Sequence, residues 1–188
     1  MRTLVSRFCA DRRGALMAEF AAAIPVLALL LMGGVEVSRY ALLNQRLDRL
    51  ATVMGDLVAQ QQTVSQADID AIFEATRSVA WPFDMTNSGK VIISSISIPP
   101  PTPPAPAVVK VTWQRNSGDL AVSSKFGAEN GTPVLPAGLT VGANQTIIAT
   151  EVFFHFKPFL IGALVPEQNV YYRAFFRPRL GSLSALGN

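Results

Sequence analysis

The stretch GALMAEFAAAIPVLALLLMGGV, residues 14–35, decides the fold. From Ala15 to Val35 it runs 21 residues with a single charge, Glu19. At about 1.5 Å per residue, a helix of that length crosses a bilayer core of roughly 30 Å. Ahead of it stand Arg2, Arg7, Arg12 and Arg13 against one acid, Asp11. Positive charge beside one end of a span holds that end in the cytoplasm, so the expected topology is N-terminus inside and C-terminal part exported.

Two ordinary readings compete for this segment. A secretory signal peptide carries an apolar stretch of only about 7–15 residues that ends in a small-residue cleavage site. Here the run is longer and flows into further helical sequence without an A-x-A-like break. An uncleaved signal anchor accounts for the length and the flanking charge, but not for Glu19. A carboxylate deep in lipid costs roughly 2.5–3.5 kcal/mol on insertion scales, so such groups are paired or functional. A simpler role for it is an interfacial position favoured by the positive end of the helix dipole. Pro25 offers no N–H to the carbonyl of Ala21 and its ring crowds that turn, so a helix kink is expected there. Membrane helices tolerate this when neighbours re-satisfy the backbone. Gly33 and Gly34 would allow close helix approach, but they lack GxxxG spacing and carry little weight.

The helix is expected to continue beyond the span. Tyr40, Leu43, Leu47, Leu50, Met54 and Leu57 recur at spacings of 3, 4, 3, 4 and 3, an apolar stripe on one face. A continuous helix from Ala15 to about Gln60 would measure roughly 69 Å. Ser65 with Asp68 has the form of a capping box opening a second helix over about Gln66 to Ala80, with Ile69, Ile72, Phe73, Thr76 and Val79 on its apolar face. Trp81-Pro82 ends it.

Past Pro82 the period changes to two. Asn87, Ser88 and Gly89 are turn residues leading into a strand from Val91 to Ile98. The tract PPPTPPAP, Pro99 to Pro106, has few backbone donors and reads as an extended exposed connection. Val109, Val111 and Trp113 alternate with polar residues in a second strand that Asn116-Ser117-Gly118 ends. Residues 115–145 are rich in Gly, Ser, Asn and Pro and read as a long surface excursion. A third strand, Thr146 to Phe156, sets Ile148, Val152, Phe154 and Phe156 against Glu151, Phe153 and His155. A fourth spans Asn169 to Arg177. Hairpin-like strands after two helices imply an α+β fold, a small antiparallel sheet packed on the long helix.

Composition narrows the function. The formal charge is +3, but setting aside the four arginines and one aspartate of residues 1–14 leaves 12 basic and 12 acidic residues. The basicity belongs to the leader, and no nucleic-acid partner is expected. The one cysteine, Cys9, also lies in the leader, so the exported part must hold together by packing, without disulfides. One histidine and no exported thiol leave no common zinc ligand set, and no metal or cofactor is expected. There is no phosphate-binding glycine loop, GxSxG elbow or Asp-rich calcium loop. Asp68 and Asp70 sit two apart on a helix and do not face each other. No catalytic residue is assigned, and His155 reads as solvated. Trp113, Phe153, Tyr171 and Phe175 serve either sheet packing or a partner surface.

Arg12-Arg13-Gly14 followed by ALMAEFAAAIPVLALLLMGGVEVSRYALLNQRL resembles the TadE/TadG-like family of the tight-adherence, or Flp, pilus system. The pattern is carried by Glu19, Phe20, Pro25, Glu36, Arg39 and Tyr40. The stretch from Val152 to Arg173, with KPFLIGAL, looks like the family's late strand and loop. The resemblance implies a pilin-like minor pilin or pseudopilin, cleaved between Gly14 and Ala15 by a prepilin peptidase, with Glu19 the assembly carboxylate and Phe20 part of peptidase recognition. Cleavage would give Ala15 a free α-amine one helical turn from Glu19, or within reach of a neighbouring subunit's carboxylate. The implied partners are that peptidase, other pilin or pseudopilin subunits, the pilus assembly machinery of the inner membrane, and membrane lipid. The expected organisation is a basic leader at 1–14, a transmembrane segment at 15–35, an amphipathic extension at 36–60 and an exported α+β head at 61–188. The alternative is an uncleaved, signal-anchored envelope protein whose head binds a periplasmic or envelope partner.

Overall fold

A computed structural model describes residues 12–100, 107–159 and 164–187. Residues 1–11 with Cys9, where most of the expected leader falls, residues 101–106 of the proline tract and residues 160–163 of KPFLIGAL lie outside the described residues. The elements run α1 (Arg12–Ala59), α2 (Gln66–Ala80), α3 (Met85–Ser88), β1 (Gly89–Ser97), β2 (Lys110–Ser117), β3 (Thr146–Phe156) and β4 (Gln168–Phe176). A long apolar helix, a short helix and a four-stranded antiparallel sheet make this an α+β arrangement. The chain divides into two compact units. One comprises Met1–Tyr40 and Pro158–Pro166, the other Ala41–Lys157 and Glu167–Asn188.

In the first unit, α1 is the dominant element. The helix contains Pro25 and is 48 residues long in all. Leu16, Met17, Phe20, Ile24, Val26, Leu27, Leu29, Leu30 and Leu31 are all exposed. At 3.6 residues per turn these positions surround most of the helix, and an all-round apolar helix belongs in a core or in lipid. By length and composition α1 can cross a membrane once, as a single-pass protein requires.

In the second unit the amphipathic stripe is used as its spacing requires. Leu43, Leu47, Leu50 and Met54 are fully buried, but the buried face then turns onto Val58, leaving Leu57 half-buried. A step of four from Met54 stays as close to the face as a step of three, and packing selects between them. Gly55 lies where α1 packs directly on the sheet. A Cβ there would stand 2.7 Å from the Phe176 ring and 2.9 Å from Thr150 Oγ1. The low helix propensity of glycine is tolerated at that point because no other residue fits.

The capping box forms: Ser65 Oγ accepts from Asp68 N at 3.2 Å, and Asp68 Oδ2 accepts from Ser65 N at 2.9 Å. The Ser65 N–H and, second, the Ser65 hydroxyl, which donates to Asp68 Oδ2 at 2.7 Å, hold the Asp68 carboxyl below its ordinary value. Ile69, Ile72, Phe73 and Thr76 are buried as their spacing implies, while Ala80 takes the last buried position in place of Val79. Ser65→Ala should cost about 1 kcal/mol, read as a lower melting temperature of the full chain in detergent.

Asn87 and Ser88 form part of a helical turn where a plain turn was expected, because Asp84 Oδ1 accepts from the backbone N–H groups of Thr86 and Asn87 at 3.0 and 3.2 Å. β1 therefore begins at Gly89. The sheet order is β2-β1-β3-β4. β1 pairs with β3 from Gly89↔Phe154 to Ser97↔Thr146, and β3 with β4 from Ile148↔Phe176 to Phe156↔Gln168. The β1–β2 register slips after Ser95, where Thr112 is the extra residue and its hydroxyl donates to the Ser95 carbonyl at 3.2 Å.

Both sheet faces are covered. Thr150, Phe154, Tyr172 and Phe176 face the helical side: Tyr172 donates to Asn44 Oδ1 at 3.0 Å, and Phe154 meets Phe83 edge-on. Trp113, also buried on this side, donates its indole N–H to the Leu183 carbonyl, which accepts from Ser95 Oγ as well, both at 2.9 Å. The C-terminal stretch is thereby fastened to the sheet, and Arg179 N and Gly187 N bond to the carbonyls of Ala59 and Val64. The opposite face lies under residues 118–145. Phe126 is buried against Ile96, Val111 and Ala149, and Asn130 and Gly131 pair with the backbone of Val111. The excursion is thus a second covering layer that also shields the outer edge of β2.

Candidate functional site

The residues singled out from the sequence lie on the first turns of α1. Gly14 is exposed, and a Cβ at that position would meet nothing within 4 Å. Glu19 and Pro25 are exposed, and Phe20 is 69% exposed. Positions 15 and 19 are four apart, so they share one helix face about 6 Å apart along the axis. Gly14, Glu19, Phe20 and Pro25 do not serve the packing of the chain, which leaves them available to something outside it.

The structure adds a contact that the family pattern did not explain. Glu36 is fully buried, although it sits at the end of a largely exposed segment. Its Oε2 accepts the backbone N–H of Phe159 at 2.9 Å, and its Oε1 lies 3.5 Å from the Arg39 guanidinium. Phe159 belongs to KPFLIGAL, so the two stretches carrying the family resemblance meet at this carboxylate, 123 residues apart in the chain. One turn earlier, Gly33 admits Leu164: a Cβ there would stand 2.7 Å from Leu164 Cδ1. The glycine pair lacking GxxxG spacing therefore serves a loop contact within this chain at Gly33.

The sheet holds a second buried acid. Glu151, on the central strand β3, has no exposed surface. Its carboxylate accepts from Ser124 Oγ, from Lys125 N at 2.9 Å and from Tyr171 Oη at 3.0 Å. Burial, then the adjacent Glu151 carboxylate, pushes the Tyr171 hydroxyl above its ordinary value. The Lys125 ammonium lies 3.7 Å over the Tyr171 ring. With its oxygens committed, Glu151 is a clamp that ties the excursion to the sheet. The sequence signal for it was an acid set between strand residues of high β-propensity. Phe153 is buried beside Tyr171, and Phe126 lies against Phe175, so these aromatics pack on the sheet.

His155 is partly exposed at the end of β3, with Nδ1 2.8 Å from Asn169 Oδ1 and Nε2 2.7 Å from Glu167 Oε1. These contacts, Asn169 first and Glu167 second, raise it above 6.5. A raised imidazole contributes stability that is complete below its unfolded value and is lost as pH rises through the folded one. An NMR titration should place its midpoint above 6.5, and Asn169→Ala should lower it. Among the described residues no three His, Cys, Asp or Glu side chains converge as a metal ion would need.

The family model described as TadE-like protein matches residues 14–53. That range takes in Gly14, Glu19, Phe20, Pro25, Glu36, Arg39 and Tyr40, together with most of the helical stripe that packs in the second unit. No curated protein and no solved structure matches the chain.

Proposed function

We propose, from the premise that residues 14–53 are a TadE-like segment, that the chain is a minor pilin or pseudopilin of a tight-adherence pilus. It is inserted once in the inner membrane with its N-terminus in the cytoplasm and its sheet-bearing part exported. A prepilin peptidase cuts between Gly14 and Ala15. The new α-amine of Ala15 then pairs with Glu19, in the same chain or in a neighbouring subunit, so that the two charges offset each other's burial and set the axial register of adjacent helices. Phe20 contributes to recognition by the peptidase. Pro25, by freeing the carbonyl of Ala21, lets the helix bend where neighbours pack.

One observation supports this reading most: an apolar helix exposed all round, bearing one carboxylate five residues after a glycine that packs against nothing. Gly14→Val tests it, because no contact inside the chain forbids the larger side chain. The variant should insert normally but stay full-length, with the processed fraction at least about tenfold lower, the effect of some 1.4 kcal/mol in the cleavage transition state. An uncleaved signal anchor predicts that Gly14→Val and the natural chain run at the same size.

A further inference from the structure

We propose that the Phe159 and Leu164 side chains form a second lipid-contacting patch, seated in the exported leaflet beside the end of the membrane helix. The inference rests on α1 being a membrane span, and it assigns a partner to a part of the chain outside that span.

Phe159 is 79% exposed and Leu164 is 56% exposed. They are not loose surface residues, because both are held against the last turns of the apolar segment. The Phe159 amide is bound by the buried Glu36 carboxylate, and Leu164 rests over Gly33. Helical side chains lean toward the N-terminus, so the Glu36 carboxylate reaches back toward the span and takes Phe159 with it. The two apolar side chains therefore lie level with residues 32–36. Val26, Leu29 and Leu30, which helical spacing sets on the same side of α1 as Gly33 and Glu36, are 56%, 59% and 67% exposed. The two side chains therefore adjoin an apolar face that the span presents to lipid. Arg39, one turn beyond Glu36 and 37% exposed at its side chain, stands where the phosphate layer would begin.

Glu36 also answers a problem that the position of Phe159 creates. A backbone amide at the edge of hydrocarbon lacks water, and leaving it unsatisfied is costly. The carboxylate supplies the acceptor for the Phe159 amide. The occupant is the acyl-chain and glycerol region of the leaflet, as opposed to a protein groove.

The test uses the full chain with Cys9→Ser, reconstituted in phosphatidylethanolamine–phosphatidylglycerol vesicles. A nitroxide is attached to Phe159→Cys, Leu164→Cys, Leu30→Cys or Val134→Cys, one at a time. Collision with oxygen, which concentrates in lipid, is compared with collision with a water-soluble nickel chelate. Positions 159 and 164 should favour oxygen by several-fold over position 134, approaching position 30. Nickel access at 159 and 164 equal to that at 134, with 30 shielded, would overturn the proposal and leave the span intact. Nickel access at 30 would instead remove the membrane helix on which it rests. Shielding from both reagents with spin–spin broadening at 159 would also overturn it, since the occupant would then be a second copy of the chain. Glu36→Gln should keep 159 in lipid, and Glu36→Leu should raise its nickel access.

Discussion

Glu19→Gln is expected to leave pili without this subunit while the chain still inserts, is processed and folds its sheet-bearing unit. Glu19 is exposed on an apolar helix and contributes nothing to packing within the chain, so no loss of fold accompanies its replacement. On the proposed reading, what is removed is the partner of the α-amine that cleavage creates at Ala15. An unpaired ammonium in the hydrocarbon costs roughly 2.5–3.5 kcal/mol, which is on the order of a hundredfold in the assembly equilibrium. Incorporation, measured as the ratio of subunit in sheared filaments to subunit in membranes, should fall by that order. A wild-type ratio for Glu19→Gln would reduce the carboxylate to a passive interfacial residue.

The second large effect concerns the sheet-bearing unit. Glu151→Ala should lower its stability by about 3 kcal/mol, because the N–H of Lys125 and the hydroxyls of Ser124 and Tyr171 lose their buried acceptor, and a cavity opens on the central strand. Against a typical total of about 5–15 kcal/mol that is a large share, and it should appear as a fall of roughly 10 °C in melting temperature. Glu151→Gln should cost less, since the Ser124 hydroxyl can rotate to accept from the new amide. Equal losses for the two variants would mean that charge, and not hydrogen bonding, holds the excursion in place.

Local signals in the sequence were read correctly where local physics decides the outcome. The Ser65–Asp68 box spans one helical turn, and β3 keeps its expected limits because its alternation is long and flanked by turn residues. The stripe from Leu43 to Met54 was legible for the same reason. Features decided by distant partners were not. Nothing near Glu151 in the chain announces that residues 118–145 fold back over it, with Phe126 reaching the core. The helical turn at Met85–Ser88 depended on Asp84 finding two backbone donors. The C-terminal stretch carried no period at all, yet Leu183, buried with φ of 43°, presents a carbonyl that satisfies both Ser95 and Trp113. Glu36 belonged to a motif, but its bond to Phe159 depends on a loop far away in sequence. Gly14, Glu19, Phe20 and Pro25 are exposed, so packing within the chain gives no account of the motif they form, and its role is the proposal made above.

The most direct test of the account is N-terminal sequencing of the protein recovered from its host membrane, with and without the prepilin peptidase. The account predicts a chain beginning at Ala15 when the peptidase is present and an intact leader when it is absent. An intact leader in both would contradict it and make the protein a signal-anchored envelope component that shares only a membrane helix with pilins.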